Sequence, residues 1–167
     1  MIIMNNTRFI ILRGNENYGK TTLCAEIYKQ LLPFAEKKHK FGKQNEELQT
    51  VFKDSVQKDK EGRICDFQAL LTIGDKHVGL YSMGDFVPDY FKVYVQVFIN
   101  LEVDVFVCCT RSRNRVNSTF RYIEETYKEF NKQVFWVEYV PNEEEMSNVK
   151  QRQAKEIVQF IMNELKA

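Results

Sequence analysis

Eight residues near the start of the chain combine types and spacing suited to phosphate chemistry. They read Gly14-Asn15-Glu16-Asn17-Tyr18-Gly19-Lys20-Thr21, with Thr22 following, and fit the pattern G-x-x-x-x-G-K-[ST]. Such a loop turns its backbone N–H groups toward an anion at a helix N-terminus, where the helix dipole also favours negative charge. Lys20 is placed to neutralise terminal phosphates. The Thr21 hydroxyl is a hard oxygen of the kind that ligates Mg²⁺.

The loop needs a strand to deliver it and a helix to leave it. Phe9-Ile10-Ile11-Leu12 predicts a strand over residues 8–13. Leu23 and Ile27 make an inward stripe on a helix over residues 20–32, with Tyr28, Leu31 and Leu32 at its end and Pro33 stopping it. In this context the residues resemble the P-loop NTPase superfamily and its Walker A loop. Asn17-Tyr18-Gly19-Lys20-Thr21-Thr22-Leu23 is similar to the N-S-G-K-T-T-L form of that loop. Tyr18 stands where a small residue is usual, so its ring either points outward or stacks on a ligand. The resemblance implies a three-layer α/β/α sandwich with a mainly parallel sheet, and a nucleoside triphosphate held with Mg²⁺ by residues 14–22.

Residues 66–73 and 77–82 read as two strands joined by the turn Gly74-Asp75-Lys76, a β-hairpin expected at the sheet edge. The second strand runs into Met83-Gly84-Asp85. The superfamily keeps its Walker B aspartate just past such a strand, so the resemblance implies that Asp85 holds Mg²⁺ with Thr21. Asp85 also suits a helix N-cap ahead of Pro88. Asp66, at the start of the first hairpin strand, is the next carboxylate for the metal. The hairpin is similar to GTPase-like and dethiobiotin-synthetase-like branches, though their D-x-x-G is absent.

Residues 87–101 fit a strand by their alternating valines and a helix by Phe91, Tyr94, Val95, Phe98 and Ile99. The next strand begins at once, and parallel neighbours need a crossover, which predicts the helix. Residues 103–110 form a near-continuous apolar run, as a central parallel strand does. Arg111, Arg113 and Arg115 follow at its carboxyl end, where open α/β sheets bind ligands. They suit a clamp on phosphates or a finger on transition-state charge, and equally a solvated helix start. Thr110-Arg111-Ser112-Arg113 lacks the aspartate of a guanine-reading motif, which favours ATP over GTP. An amphipathic helix over 116–130, a strand over 134–140 and a closing helix over 147–166 complete the series.

Residues 36–63 differ in character. Lysine-rich flanks surround a middle, 45–56, that places Leu48, Val51, Phe52 and Val56 on one helical face. This polar insertion is either solvated surface or the contact for a protein partner or small-molecule substrate.

Composition bounds the remaining possibilities. A chain of 167 residues with 44% hydrophobic and 28% charged side chains suits one globular domain, 1–167. A net charge of +1 gives no bulk attraction to nucleic acid or an anionic membrane. No apolar run approaches the roughly 20 residues that span a bilayer. Met1-Ile2-Ile3-Met4 is too short for a signal-peptide core, so a cytoplasmic location is expected. Cys24, Cys65, Cys108 and Cys109 form no C-x-x-C, and Cys108-Cys109 suits buried strand packing. The expected activity is Mg²⁺-dependent ATP hydrolysis, with or without a switch role, with Lys20, Asp85, Arg111 and Arg113 at the reacting phosphates and Arg115 on the nucleotide. A small-molecule kinase and a binding module without turnover are the alternatives.

Overall fold

In β1 (Arg8–Gly14), Phe9 and Ile11 enter one apolar cluster and Ile10 and Leu12 enter another. A strand apolar on both faces must be covered on both sides. The computed structural model, which describes residues 6–15, 18–40, 49–50, 60–61, 66–83, 89–112 and 118–166, shows what covers them. Ile10 and Leu12 pack with α1 (Lys20–Leu31) and α4 (Glu143–Lys166). Phe9 and Ile11 pack with α2 (Asp89–Asn100) and α3 (Thr119–Thr126). Each fully buried Phe or Ile contributes about 1.5–3 kcal/mol.

The other strands are β2 (Lys37–Lys40), β3 (Gln49–Thr50), β4 (Gln68–Ile73), β5 (Lys76–Tyr81), β6 (Val105–Arg111) and β7 (Lys132–Trp136). They join β1 in one sheet of order β3-β2-β4-β5-β6-β1-β7. The run β5-β6-β1-β7 is parallel, while β4, β2 and β3 are each antiparallel to the neighbour before them. The carboxyl ends of β5, β6, β1 and β7, and that of β2, therefore share one edge with the amino end of β4. That edge carries Gly14, Ser82, Arg111 and Val137, and also Asp66.

The hairpin of β4 and β5 forms as expected, with Gly74 at φ 62° in its turn. It is not the sheet edge, because β2 pairs with the outer side of β4 and β3 with β2. Gly79 lies where a Cβ would meet Phe98 Cδ1 at 2.3 Å, so the α2 ring occupies the space a side chain there would need. The segment read as a helix over 45–56 contributes strand at Gln49–Thr50. Pairing with β2 decides that conformation, and the rest of 45–56 lies outside the described residues. No described helix is long and apolar enough to cross a membrane.

Candidate phosphate-binding site

The site begins where β1 ends. Gly19 has left-handed backbone angles, φ 81° and ψ 35°, and is the N-cap of α1. It brings no capping side chain, and the first turn of α1 holds no acidic residue. The other long helix begins differently. α4 opens on Glu143, Glu144 and Glu145, and Asn142 Oδ1 accepts from the Glu144 N–H at 3.0 Å. The start of α1 thus directs its positive dipole end toward the carboxyl edge of the sheet.

Lys20 is 7% exposed. Its Nζ donates to Gly14 O at 3.0 Å and to Thr110 O at 3.3 Å, which ties the ends of β1 and β6 together. One residue on, the Thr21 hydroxyl donates to Asp66 Oδ1 at 2.9 Å. The Ser82 hydroxyl donates to the same oxygen at 3.1 Å and accepts from the Phe67 N–H at 2.8 Å. The Ser82 N–H completes the link by donating to Phe67 O at 3.0 Å. α1 packs over β5 and β6 as well as β1, which carries Thr21 far enough across the sheet to meet Asp66.

The outer wall of the loop comes from the C-terminal part of the chain. A Cβ on Gly14 would stand 3.1 Å from Val137 Cβ. A Cβ on Gly19 would stand 2.9 Å from Lys150 Cε and 3.3 Å from Met146 Sδ. Both glycines of the motif are therefore close-approach positions. Lys150 is fully buried, and its Nζ donates to Glu138 O at 2.5 Å. Burial lowers its pKa to about 8, against an opposing pull from the Glu138 carboxylate. Tyr18 turns its ring to Tyr139, with centroids 4.9 Å apart.

Arg13 is the residue that the sequence reading passed over. Its guanidinium carbon lies 3.6 Å from the Phe120 ring centroid and 4.4 Å from that of Trp136. Its Nε donates to Ser112 O at 2.9 Å, and the Ser112 hydroxyl donates to Asn15 Oδ1. Partial burial lowers its pKa, with the Glu124 carboxylate opposing. The signal was a single cation closing an apolar strand immediately before the first glycine. Lys150 carried a signal as well, since it falls in helical step with Ala154, Ile157 and Ile161.

The described residues bring together Gly14, Asn15, Tyr18, Gly19, Lys20 and Thr21, with Thr22 following in α1. Arg111 ends β6 opposite Gly14, and its N–H donates to Thr119 Oγ1 at 3.0 Å. Glu16, Asn17, Asp85, Arg113 and Arg115 lie outside the described residues. Cys24, Cys108 and Cys109 are buried free thiols, and burial holds Cys108 well above the usual thiol pKa. Among the described residues no three His, Cys, Asp or Glu side chains gather as a metal-binding group. Thr21 and Asp66 are nevertheless a hydroxyl and a carboxylate in contact, a fit for Mg²⁺, which takes one or two protein oxygens and fills its shell with water and phosphate.

At the opposite edge of the sheet, a polar cleft is lined by Arg8, Lys76, Asp104 and Glu164. The pairs Arg8–Glu164 at 2.9 Å and Lys76–Asp104 at 3.9 Å balance its charge, so it offers no competing anion site. No protein-family model, no curated protein and no solved structure matches the chain.

Proposed function

We propose that the chain binds a nucleoside triphosphate, ATP before GTP, together with Mg²⁺, and hydrolyses it within a P-loop-type three-layer α/β/α fold. One observation carries this reading: Lys20, Thr21 and Asp66 meet at a helix start that has neither a side-chain cap nor an acid in its first turn. Backbone N–H groups from Gly19 onward bind the phosphate oxygens. Lys20 exchanges its carbonyl partners for phosphate and offsets the charge that develops there. Thr21 and Asp66 hold the metal, which would neutralise charge on the phosphates. Ser82 orients Asp66 through their hydrogen bond. Arg13 fixes Ser112, and through it Asn15, at the start of the loop.

Isothermal titration with ATP, with and without Mg²⁺, tests the binding. Lys20→Ala removes a cation in direct phosphate contact and is expected to cost about 2–5 kcal/mol of affinity. The fold should persist, because Lys20 ties strand ends and fills no core. Unchanged ATP affinity in this variant rejects the assignment. Phosphate release from ATP alone supports hydrolysis, whereas Mg²⁺-dependent binding with no release supports a binding module.

A further inference from the structure

We propose that Tyr139, backed by Tyr18, is the stacking platform for the base of the bound nucleotide, an inference that rests on the nucleotide reading above. The two rings lie 4.9 Å apart and 33° from parallel, while Tyr139 remains 59% exposed. Only one part of the Tyr139 surface is used by Tyr18, and a large aromatic surface stays in water.

The backbone on which that ring stands is hydrogen-bonded on its N-terminal side. Gln153 Nε2 donates to Trp136 O at 2.7 Å, and Gln153 Oε1 accepts from the Glu138 N–H at 3.3 Å. Lys150 Nζ donates to Glu138 O at 2.5 Å, and the Val137 N–H donates to Arg13 O at 2.9 Å. Val140, on the far side of Tyr139, is buried. An exposed ring on a backbone pinned from both sides gains little for folding, but it is preorganised for a flat ligand.

Position selects the ligand. Tyr18 directly precedes Gly19, the residue that opens the anion-binding end of α1. Aromatic platform and phosphate cradle are therefore adjacent in the chain, and a nucleotide joins an aromatic base and an anion in one molecule. Stacking accepts every base, because each has a π-face, so the platform adds affinity without a guanine-reading acid.

Calorimetric titrations with ATP and with inorganic tripolyphosphate, both in Mg²⁺, separate the base from the phosphates. Tyr139→Ala is expected to weaken ATP about 5- to 150-fold, the range for one lost base–aromatic stack, and to leave tripolyphosphate unchanged. Tyr139→Phe keeps the ring and should match the wild type. Equal weakening of both ligands, or of neither, overturns the platform. So does a wild type that binds tripolyphosphate as tightly as ATP, while the phosphate site itself survives. A wild type that binds neither removes the nucleotide reading and the platform with it.

Discussion

Thr21 and Asp66 are 45 residues apart in the chain and share a 2.9 Å hydrogen bond. The bond brings a hydroxyl from the first turn of α1 to a carboxylate at the amino end of an antiparallel strand. In the proposed function this pair holds Mg²⁺ beside phosphate, while Asp85, the other carboxylate expected for the metal, lies outside the described residues. Asp66→Asn keeps the shape and removes the charge. It is expected to lower the Mg²⁺-dependent part of ATP affinity about 10- to 100-fold, with metal-free binding of tripolyphosphate no weaker than in the wild type, because a repelling charge is removed. Should the Mg²⁺ titration of the variant overlay that of the wild type, Asp66 does not serve the metal.

Gly19 answers to two constraints that can be separated. Its φ of 81° is unfavourable for any residue with a Cβ, by about 1–2 kcal/mol. Lys150 Cε, 2.9 Å from the place of that Cβ, adds a steric conflict. Thermal melts of Gly19→Ala, Lys150→Ala and the double variant form a cycle. The double variant is expected to lose less than the sum of the singles by about 0.5–3 kcal/mol, because the shorter side chain relieves the contact. Strict additivity would show that Lys150 swings aside at no cost.

What the sequence made legible is local. The sequence predicts the first strand over residues 8–13, and it runs Arg8–Gly14; the predicted hairpin strands lie within two residues of the observed ones at each end. Period and turn chemistry decide these elements. The ambiguous segment 87–101 is helical, Asp89–Asn100, and its valines show why: Val95 is buried while Val93 is 56% exposed, a helical split that strand alternation forbids. Ends set by a partner were not legible. The apolar run at 134–140 extends the strand pattern, but β7 stops at Trp136. Its partner β1 ends at Gly14, and the last backbone bond is from Val137 N–H to Arg13 O. The helix read over 116–130 shortens to Thr119–Thr126, where Ser118 Oγ accepts from the Arg121 N–H. β2, with the sequence Lys-Lys-His-Lys, has no strand alternation and takes its form from pairing with β4. The Thr21–Asp66–Ser82 cluster was legible only in part: Asp66 stands in the sequence as the next carboxylate for a metal, but its bonds to Thr21 and Ser82 join three elements that only the fold brings together.

Lys150 gives the fold a pH dependence whose sign can be worked out. Buried beside Gly19, its ammonium has a pKa of about 8, below the ordinary 10.5 of an exposed lysine. Between those values the unfolded chain binds more protons than the folded one, so this group makes stability rise with pH across that interval. Below about pH 8 both states are charged, and the folded protein carries the full cost of burying the ammonium. Lys150→Met keeps the packing and removes the charge, leaving the Glu138 carbonyl without this partner. The charge dominates that balance, because burying an ammonium costs more than one hydrogen bond to a carbonyl returns. Lys150→Met is therefore expected to be more stable than the wild type at pH 7 by about 1–3 kcal/mol. The advantage should shrink as the pH rises toward 10.5, where the wild-type lysine is neutral in the fold and is losing its charge in the unfolded chain. Urea unfolding midpoints of the two proteins at pH 7 and pH 10 measure the difference. A gap that is constant between the two pH values would assign the gain to methionine packing and not to the buried charge.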